Sequence, residues 1–266
     1  MFSQTSEKDY VLAKILAVAD SHGSSIPLTI AERNLDCFDK VIFLGDFFDH
    51  EDKEYEEQKE NFLKVMKFKK ANPEKVKILI GNHDANYIVP ELYGWQYEHE
   101  TEIKKMILRN LEYIDLGFMA GKWIFTHAGV SGIWFYNQLK NDDFDIKNDK
   151  VPDIQFSNEF LNQYNDRLHN GDFSILRFTG ITGYGDEITQ NPLWIRPDSL
   201  KIAAVPGLNQ VVGHTAVPDE ERIQKKDTDV LLFLDSLPFY RNVYAEVDTE
   251  TNQYEIKKFE DPFADW

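Results

Sequence analysis

Asp, Asn and His occur together at five short segments of the chain: Asp20-Ser21-His22, Gly45-Asp46-Phe47-Phe48-Asp49, Gly81-Asn82-His83-Asp84, Thr126-His127-Ala128-Gly129 and Gly213-His214-Thr215. These residue types bind divalent cations through oxygen and imidazole nitrogen. Two cations about 3.5–4 Å apart can activate water against a phosphate ester. Asp20 and His22, two apart at a strand end, point to one side and can share a cation. Asp46 follows a glycine that permits a sharp exit from a strand, and its two oxygens can bridge two cations. Asn82 offers a neutral amide oxygen, which avoids excess negative charge beside a phosphate. His127 and His214 add neutral imidazoles. The expected sorting is Asp20, His22 and Asp46 on one metal, and Asp46, Asn82, His127 and His214 on the other. Asp, Asn and His suit manganese, iron and zinc alike.

His83 adjoins a ligand and is expected to point away from it, toward the leaving group, as a general acid. It needs a carboxylate to hold its ring and raise its pKa. Asp49 is the first candidate and Asp84 the second. His50, His99 and His169 read as ordinary core or surface histidines.

Something must bring these segments together. Four follow short apolar runs at 15–19, 41–44, 76–80 and 123–125, and the fifth follows Val211-Val212. Such runs predict buried strands with the polar residues at their ends. Strands are expected at 10–19, 40–44, 76–80, 113–119, 122–126, 229–234 and 242–248. A hairpin is expected at 249–252. Amphipathic helices are expected over 55–70 and 98–111. The alternation indicates an α/β core. Residues 131–206 break the rhythm, with short helices near 134–139 and 158–168 and a glycine-rich loop at 180–185. They read as an insertion or lid over the site in one domain spanning 1–266.

The chain of 266 residues carries a formal net charge of −17. This field disfavours general affinity for nucleic acid or anionic membranes, so cations must supply positive charge locally. Cys37 is the single cysteine, which excludes an intrachain disulfide, and it reads as a small packed residue. No apolar run reaches the ~20 residues of a membrane helix. The polar first ten residues do not suit a secretory signal, so a cytoplasmic protein is expected.

Taken together, Asp-x-His, Gly-Asp-x-x-Asp, Gly-Asn-His-Asp, His-Ala-Gly and Gly-His-Thr resemble the motif series of the calcineurin-like metallophosphoesterase superfamily, across positions 20–215. The resemblance implies a four-layer α/β/β/α sandwich with two mixed sheets and the metal site at strand C-terminal ends. It also implies a dinuclear centre whose bridging hydroxide attacks phosphorus directly. Position 216 is Ala, where many phosphodiesterase branches carry a further His. Trp194-Ile195-Arg196 is similar to an element of the phosphoprotein-phosphatase-like branch, which includes phage-type protein phosphatases and symmetrical bis(5′-nucleosyl)-tetraphosphatases. There the Arg clamps phosphate, a role carried to Arg196. Leu234-Asp235-Ser236 also resembles that branch. Its usual second Arg is replaced by His50 in Asp49-His50-Glu51. His50, or a cation such as Arg177, is the candidate substitute. Losing one charge-assisted contact costs on the order of 1.5–3 kcal/mol.

The expected substrate is therefore a phosphorylated protein, nucleotide or small molecule, with a phosphomonoester (protein Ser/Thr phosphatase-like) first. A dinucleoside polyphosphate or phosphodiester is the alternative, with Trp134, Phe135, Tyr136, Phe173 or Tyr184 stacking a base. A non-catalytic binding protein on the same fold is the third reading.

Overall fold

Strand β1 (Lys14–Val18) alternates its side chains between two buried environments, and the rest of the fold follows from that alternation. The computed structural model describes residues 12–50, 52–89, 98–141, 154–177, 179, 186–235 and 243–259. The glycine-rich loop at 180–185 lies outside them, as do Glu51 and Ser236.

β1 is followed by α1 (Ile26–Asn34), β2 (Lys40–Phe43), α2 (Tyr55–Ala71), β3 (Val76–Leu79), α3 (Asn82–Ile88), α4 (Glu100–Arg109) and β4 (Ile114–Asp115). β5 (Gly117–Ala120), β6 (Trp123–Thr126), α5 (Gly132–Asn141), α6 (Ile154–His169) and α7 (Pro197–Ala203) come next. β7 (Asn209–Val212), β8 (Ile223–Lys226), β9 (Asp229–Phe233), β10 (Val243–Asp248) and β11 (Gln253–Lys258) complete the order.

The first sheet runs β11-β10-β1-β2-β3-β4, with β1 to β4 parallel and β10 antiparallel to β1. The second runs β5-β6-β7-β9-β8, with β6, β7 and β9 parallel and both outer strands antiparallel. Ile15, Ala17, Ile42 and Leu79 of the first sheet share one core with Trp123, Phe125, Val211 and Leu232 of the second. The opposite faces carry helices. Leu16, Val18, Phe43 and Ile78 pack with Phe62 and Val65 of α2 and Ile107 of α4. Met119 and Ile124 share that core with Trp134 of α5 and Phe160 and Tyr164 of α6. Leu200 of α7 packs with Val212, Leu231 and Phe233. The result is the expected four-layer α/β/β/α sandwich with two mixed sheets.

Several elements differ from expectation. The single strand at 113–119 is two strands in different sheets, joined at the fully buried Leu116. The chain crosses between sheets there, and Asn165 Oδ1 accepts the Leu116 N–H (2.8 Å) and the Gly117 N–H (3.3 Å) that the corner leaves without a ladder partner. Residues 82–88 form a helix where a strand exit was expected. β8 and α7 were not anticipated. β8 is a polar edge strand without an apolar period, and α7 is a short helix opened by Pro197 at its first turn. Cys37 is exposed rather than packed.

Candidate metal centre

The donors leave the C-terminal ends of five parallel strands. Asp20 follows β1, Asp46 follows β2, Asn82 opens α3 after β3, His127 follows β6 and His214 follows β7. Parallel neighbours deliver their ends to one edge, so chain-distant residues meet there. The two sheets contribute from opposite sides of the cleft. The backbone bends sharply to achieve this. Five of the seven non-glycine residues with positive φ among the described residues belong to the site: Asp20 (35°), His22 (38°), Asp46 (54°), Asp49 (75°) and His214 (68°). Strain of this kind persists where surrounding structure over-determines it. Gly45 adopts φ of 102°, and a Cβ there would sit 2.4 Å from the Gly81 backbone nitrogen. Gly213 allows another close approach, since a Cβ would lie 2.3 Å from Asp20 Oδ1.

Asp46 is the shared centre. Its Oδ2 lies 3.5 Å from His22 Nε2 and 3.3 Å from His127 Nε2, while its Oδ1 accepts the His83 N–H at 2.9 Å. Two compact donor groups intersect at it: His22, Asp46 and His83, and Asp20, Asp46 and His127. Asp20 faces His127 across the two sheets, with its Oδ1 3.7 Å from His127 Nδ1. Asn82 Oδ1 lies 2.7 Å from His127 Nε2 and 2.9 Å from His214 Nδ1. All six expected ligands are therefore brought together.

The imidazoles are aimed by backbone carbonyls. His22 Nδ1–H donates to the Phe48 carbonyl (2.7 Å) and His127 Nδ1–H to the Leu44 carbonyl (2.8 Å). Each hydrogen bond leaves the Nε2 lone pair facing the donor cluster, as a metal ligand requires. Burial pushes His22 down to about 4 against the pull of Asp46, which keeps that ring neutral. Burial, and then the charge of His127, also lowers His214 far below its ordinary value.

Do these residues fit divalent cations? Two buried atoms, Asp20 Oδ1 and His214 Nε2, have no hydrogen-bond partner. An unpartnered buried polar atom is costly unless a cation engages it. Burial would lower His127, yet Asp46 outweighs it and raises it. Burial would raise Asp46, yet His127, His83 and His22 hold it far below the carboxylate range. Burial, then Asp235 and Asp46, drive Asp20 well upward. The cluster demands positive charge, and the donor set fits divalent cations.

His83 opens the other side. Its Nδ1–H donates to Asp49 Oδ2 at 2.9 Å, so Asp49, the first candidate, is its carboxylate. Asp84 is not. It accepts N–H groups from Asp46 (2.8 Å), Phe47 (2.9 Å) and Gly81 (3.0 Å), locking the second motif to the third. Asn82 and His83 do not diverge as strand residues do. They occupy the first turn of α3, which rotates one inward and the other outward. Burial lowers His83, but Asp46 and then Asp49 overcome it and raise its pKa.

Arg196 stands at the head of α7, with Nη1 3.5 Å from Thr215 Oγ1 beside His214. His50 lines a cleft of about 460 Å³ with Asp49, Tyr55, His83, Tyr87 and His99. Its Nδ1 accepts the Asp52 N–H at 3.1 Å. Trp134 and Phe135 are 3% and 4% exposed and pack against Phe160, so neither ring is presented to a ligand. Tyr136 is 41% exposed. Sequence reasoning missed Tyr87, whose hydroxyl donates to Asp49 Oδ1. Tyr87 lies four residues after His83, a spacing that becomes a shared face only in the helix that the strand-exit reading did not expect.

A two-sheet α/β sandwich carrying Asp, Asn and His donors on converging strand ends has the architecture of a metallophosphoesterase. The chain belongs to the calcineurin-like phosphoesterase family, whose sequence profile matches residues 13–218. No protein of curated function matches significantly. A cold-active protein-tyrosine phosphatase of a psychrophilic Shewanella species shares 16% identity over 96% of this chain and 85% of its own, at a TM-score of 0.52. A protein serine/threonine phosphatase from Saccharomyces cerevisiae shares 16% identity over 96% of this chain and 81% of its own, at a TM-score of 0.50. These likenesses concern the fold. Members of the family are generally hydrolases that use divalent metals, and the donor groups described here are candidates to hold them.

Proposed function

We propose that the protein hydrolyses phosphomonoesters, with Asp20, His22, Asp46, Asn82, His127 and His214 holding two divalent cations. The observation that carries this reading is the gathering of six donors, with Asp20, His22 and His127 close to Asp46 and Asn82 beside His127 and His214, and with the unpartnered Asp20 Oδ1 and His214 Nε2 among them. Bound there, divalent cations activate water and neutralise phosphoryl charge. Arg196, beside Thr215 and His214, supplies a forked cation for the phosphate oxygens.

His83 donates a proton to the departing oxygen, its ring oriented by Asp49. The cleft lined by His83 and His50 receives the leaving group. His50 is the weaker substrate contact, since its Nδ1 is already engaged by Asp52. Residues 131–206 serve as an insertion within a single domain. Ala216 and the buried Trp134 and Phe135 favour a monoester of a protein or small molecule over a base-stacked dinucleotide.

The test compares p-nitrophenyl phosphate, its bis ester and diadenosine tetraphosphate with the manganese-loaded protein. Preferential cleavage of the monoester is expected. A strong preference for the diester or the dinucleotide overturns the reading. His83→Ala should depress kcat most on alkyl phosphates, whose leaving oxygens need a proton, and equal losses on alkyl and p-nitrophenyl phosphate would remove His83 from the acid role.

A further inference from the structure

We propose that Tyr87 is a positioning residue for the general acid, acting on His83 through Asp49. The inference rests on the reading of His83 as the acid.

Helix α3 places His83 and Tyr87 four residues apart, one turn along the same face. Both reach back to one carboxylate. The Tyr87 hydroxyl donates to Asp49 Oδ1, and His83 Nδ1–H donates to Asp49 Oδ2 at 2.9 Å. The terminal torsion of an aspartate is broad and does not by itself select an orientation. A single donor leaves the carboxylate free to turn, whereas two donors on opposite oxygens define its plane. Asp49 is otherwise carried on a strained loop, with φ of 75° and a side chain only 3% exposed. The anchor is itself rigid. Tyr87 is 2% exposed, and its ring meets Phe48 edge-on at 6.1 Å.

Phe48 also supplies the carbonyl that orients His22. One short stretch of chain, 46–49, thus carries the shared Asp46, the carbonyl that aims His22 and the carboxylate that aims His83. Tyr87 pins its far end from α3, while Asp84 pins its near end. The ring packs as a phenylalanine would, so the hydroxyl adds orientation rather than core volume.

The experiment is a double-mutant cycle of Tyr87→Phe and His83→Ala in the manganese-loaded protein, with kcat and KM measured on p-nitrophenyl phosphate and on an alkyl phosphate. Tyr87→Phe should lower kcat on the alkyl ester about 10-fold, a typical outer-shell effect, with a smaller loss on p-nitrophenyl phosphate and little change in KM. In the His83→Ala background it should cost almost nothing further, because the path runs through His83. A loss equal on both esters, or one that persists without His83, overturns the proposal. If His83→Ala is itself insensitive to the leaving group, the acid reading falls and this inference with it. If His83→Ala is selective and Tyr87→Phe is not, only the inference falls. A crystal structure of Tyr87→Phe supplies a readout free of turnover. A carboxylate rotated off His83 supports positioning, and an unmoved Asp49 overturns it.

Discussion

Asp46 concentrates the chemistry of the site in one side chain. Three histidines and a backbone N–H converge on its carboxylate, and His127 and then His83 hold it ionised against the cost of burial. Asp46→Asn keeps the shape and removes the charge. It should lower kcat by at least about 10²–10³-fold, and should reduce the bound metal measured by elemental analysis. Full turnover with two metals retained would refute the shared-ligand role. The residue types and their spacing were legible in the chain, because a metal site needs oxygen and imidazole donors at strand ends. The partner of His83 could be ranked but not decided, since Asp84 is its neighbour in the chain and Asp49, the first candidate, lies 34 residues away. Only the fold shows that three backbone N–H groups occupy Asp84 while Asp49 faces the ring.

At the scale of elements, the motif glycines permit contacts between segments. Gly213→Ala would drive a Cβ into Asp20 Oδ1. The expected cost is about 1–3 kcal/mol by chemical denaturation, accompanied by weaker metal binding, because Asp20 must move. Wild-type stability and metal content would contradict the close approach. A second element-level contact lies away from the site. His169, in the last turn of α6, meets Asp115 Oδ1 at 3.2 Å and the Ile114 carbonyl at 3.0 Å, tying the helix to β4. Its hydrogen bond to Asp115 raises its pKa above the ordinary 6.5. A raised folded value means the contribution is fully present below pH 6.5 and fades as pH climbs through that higher value. The Tm deficit of His169→Ala should therefore be larger at pH 6 than at pH 9, and a deficit that grows with pH would have the wrong sign. Most strands and the amphipathic helices α2 and α4 could be read from hydrophobic period. The split at Leu116 could not, because residues 113–119 carry a strand signal throughout, and the change of sheet depends on what Asn165 satisfies 49 residues away.

The whole molecule joins a net charge of −17 to a pocket that demands cations. Cation binding should therefore stabilise the fold. Free manganese at 100 times its Kd contributes about 2.7 kcal/mol, which raises Tm by about 5–10 °C in a chain of this size. A chelator should reverse the shift, and Asp46→Asn should blunt it. An unchanged Tm in wild type would tell against a metal centre. Among the described residues, no helix is long and apolar enough to cross a membrane.

By itself the sequence determined the donor inventory, the glycines beside it and the apolar runs that carry it to strand ends. Each of these is written in a few consecutive residues and obeys local stereochemistry. Tertiary structure alone decided which donors share a neighbourhood, which imidazole nitrogen faces inward and which carboxylate serves His83. It also brought Tyr87 to the far oxygen of Asp49. Those outcomes depend on distances between segments up to 194 residues apart, as in the His214 N–H bound to Asp20 at 2.6 Å, and distances of that kind exist only once the two sheets have packed.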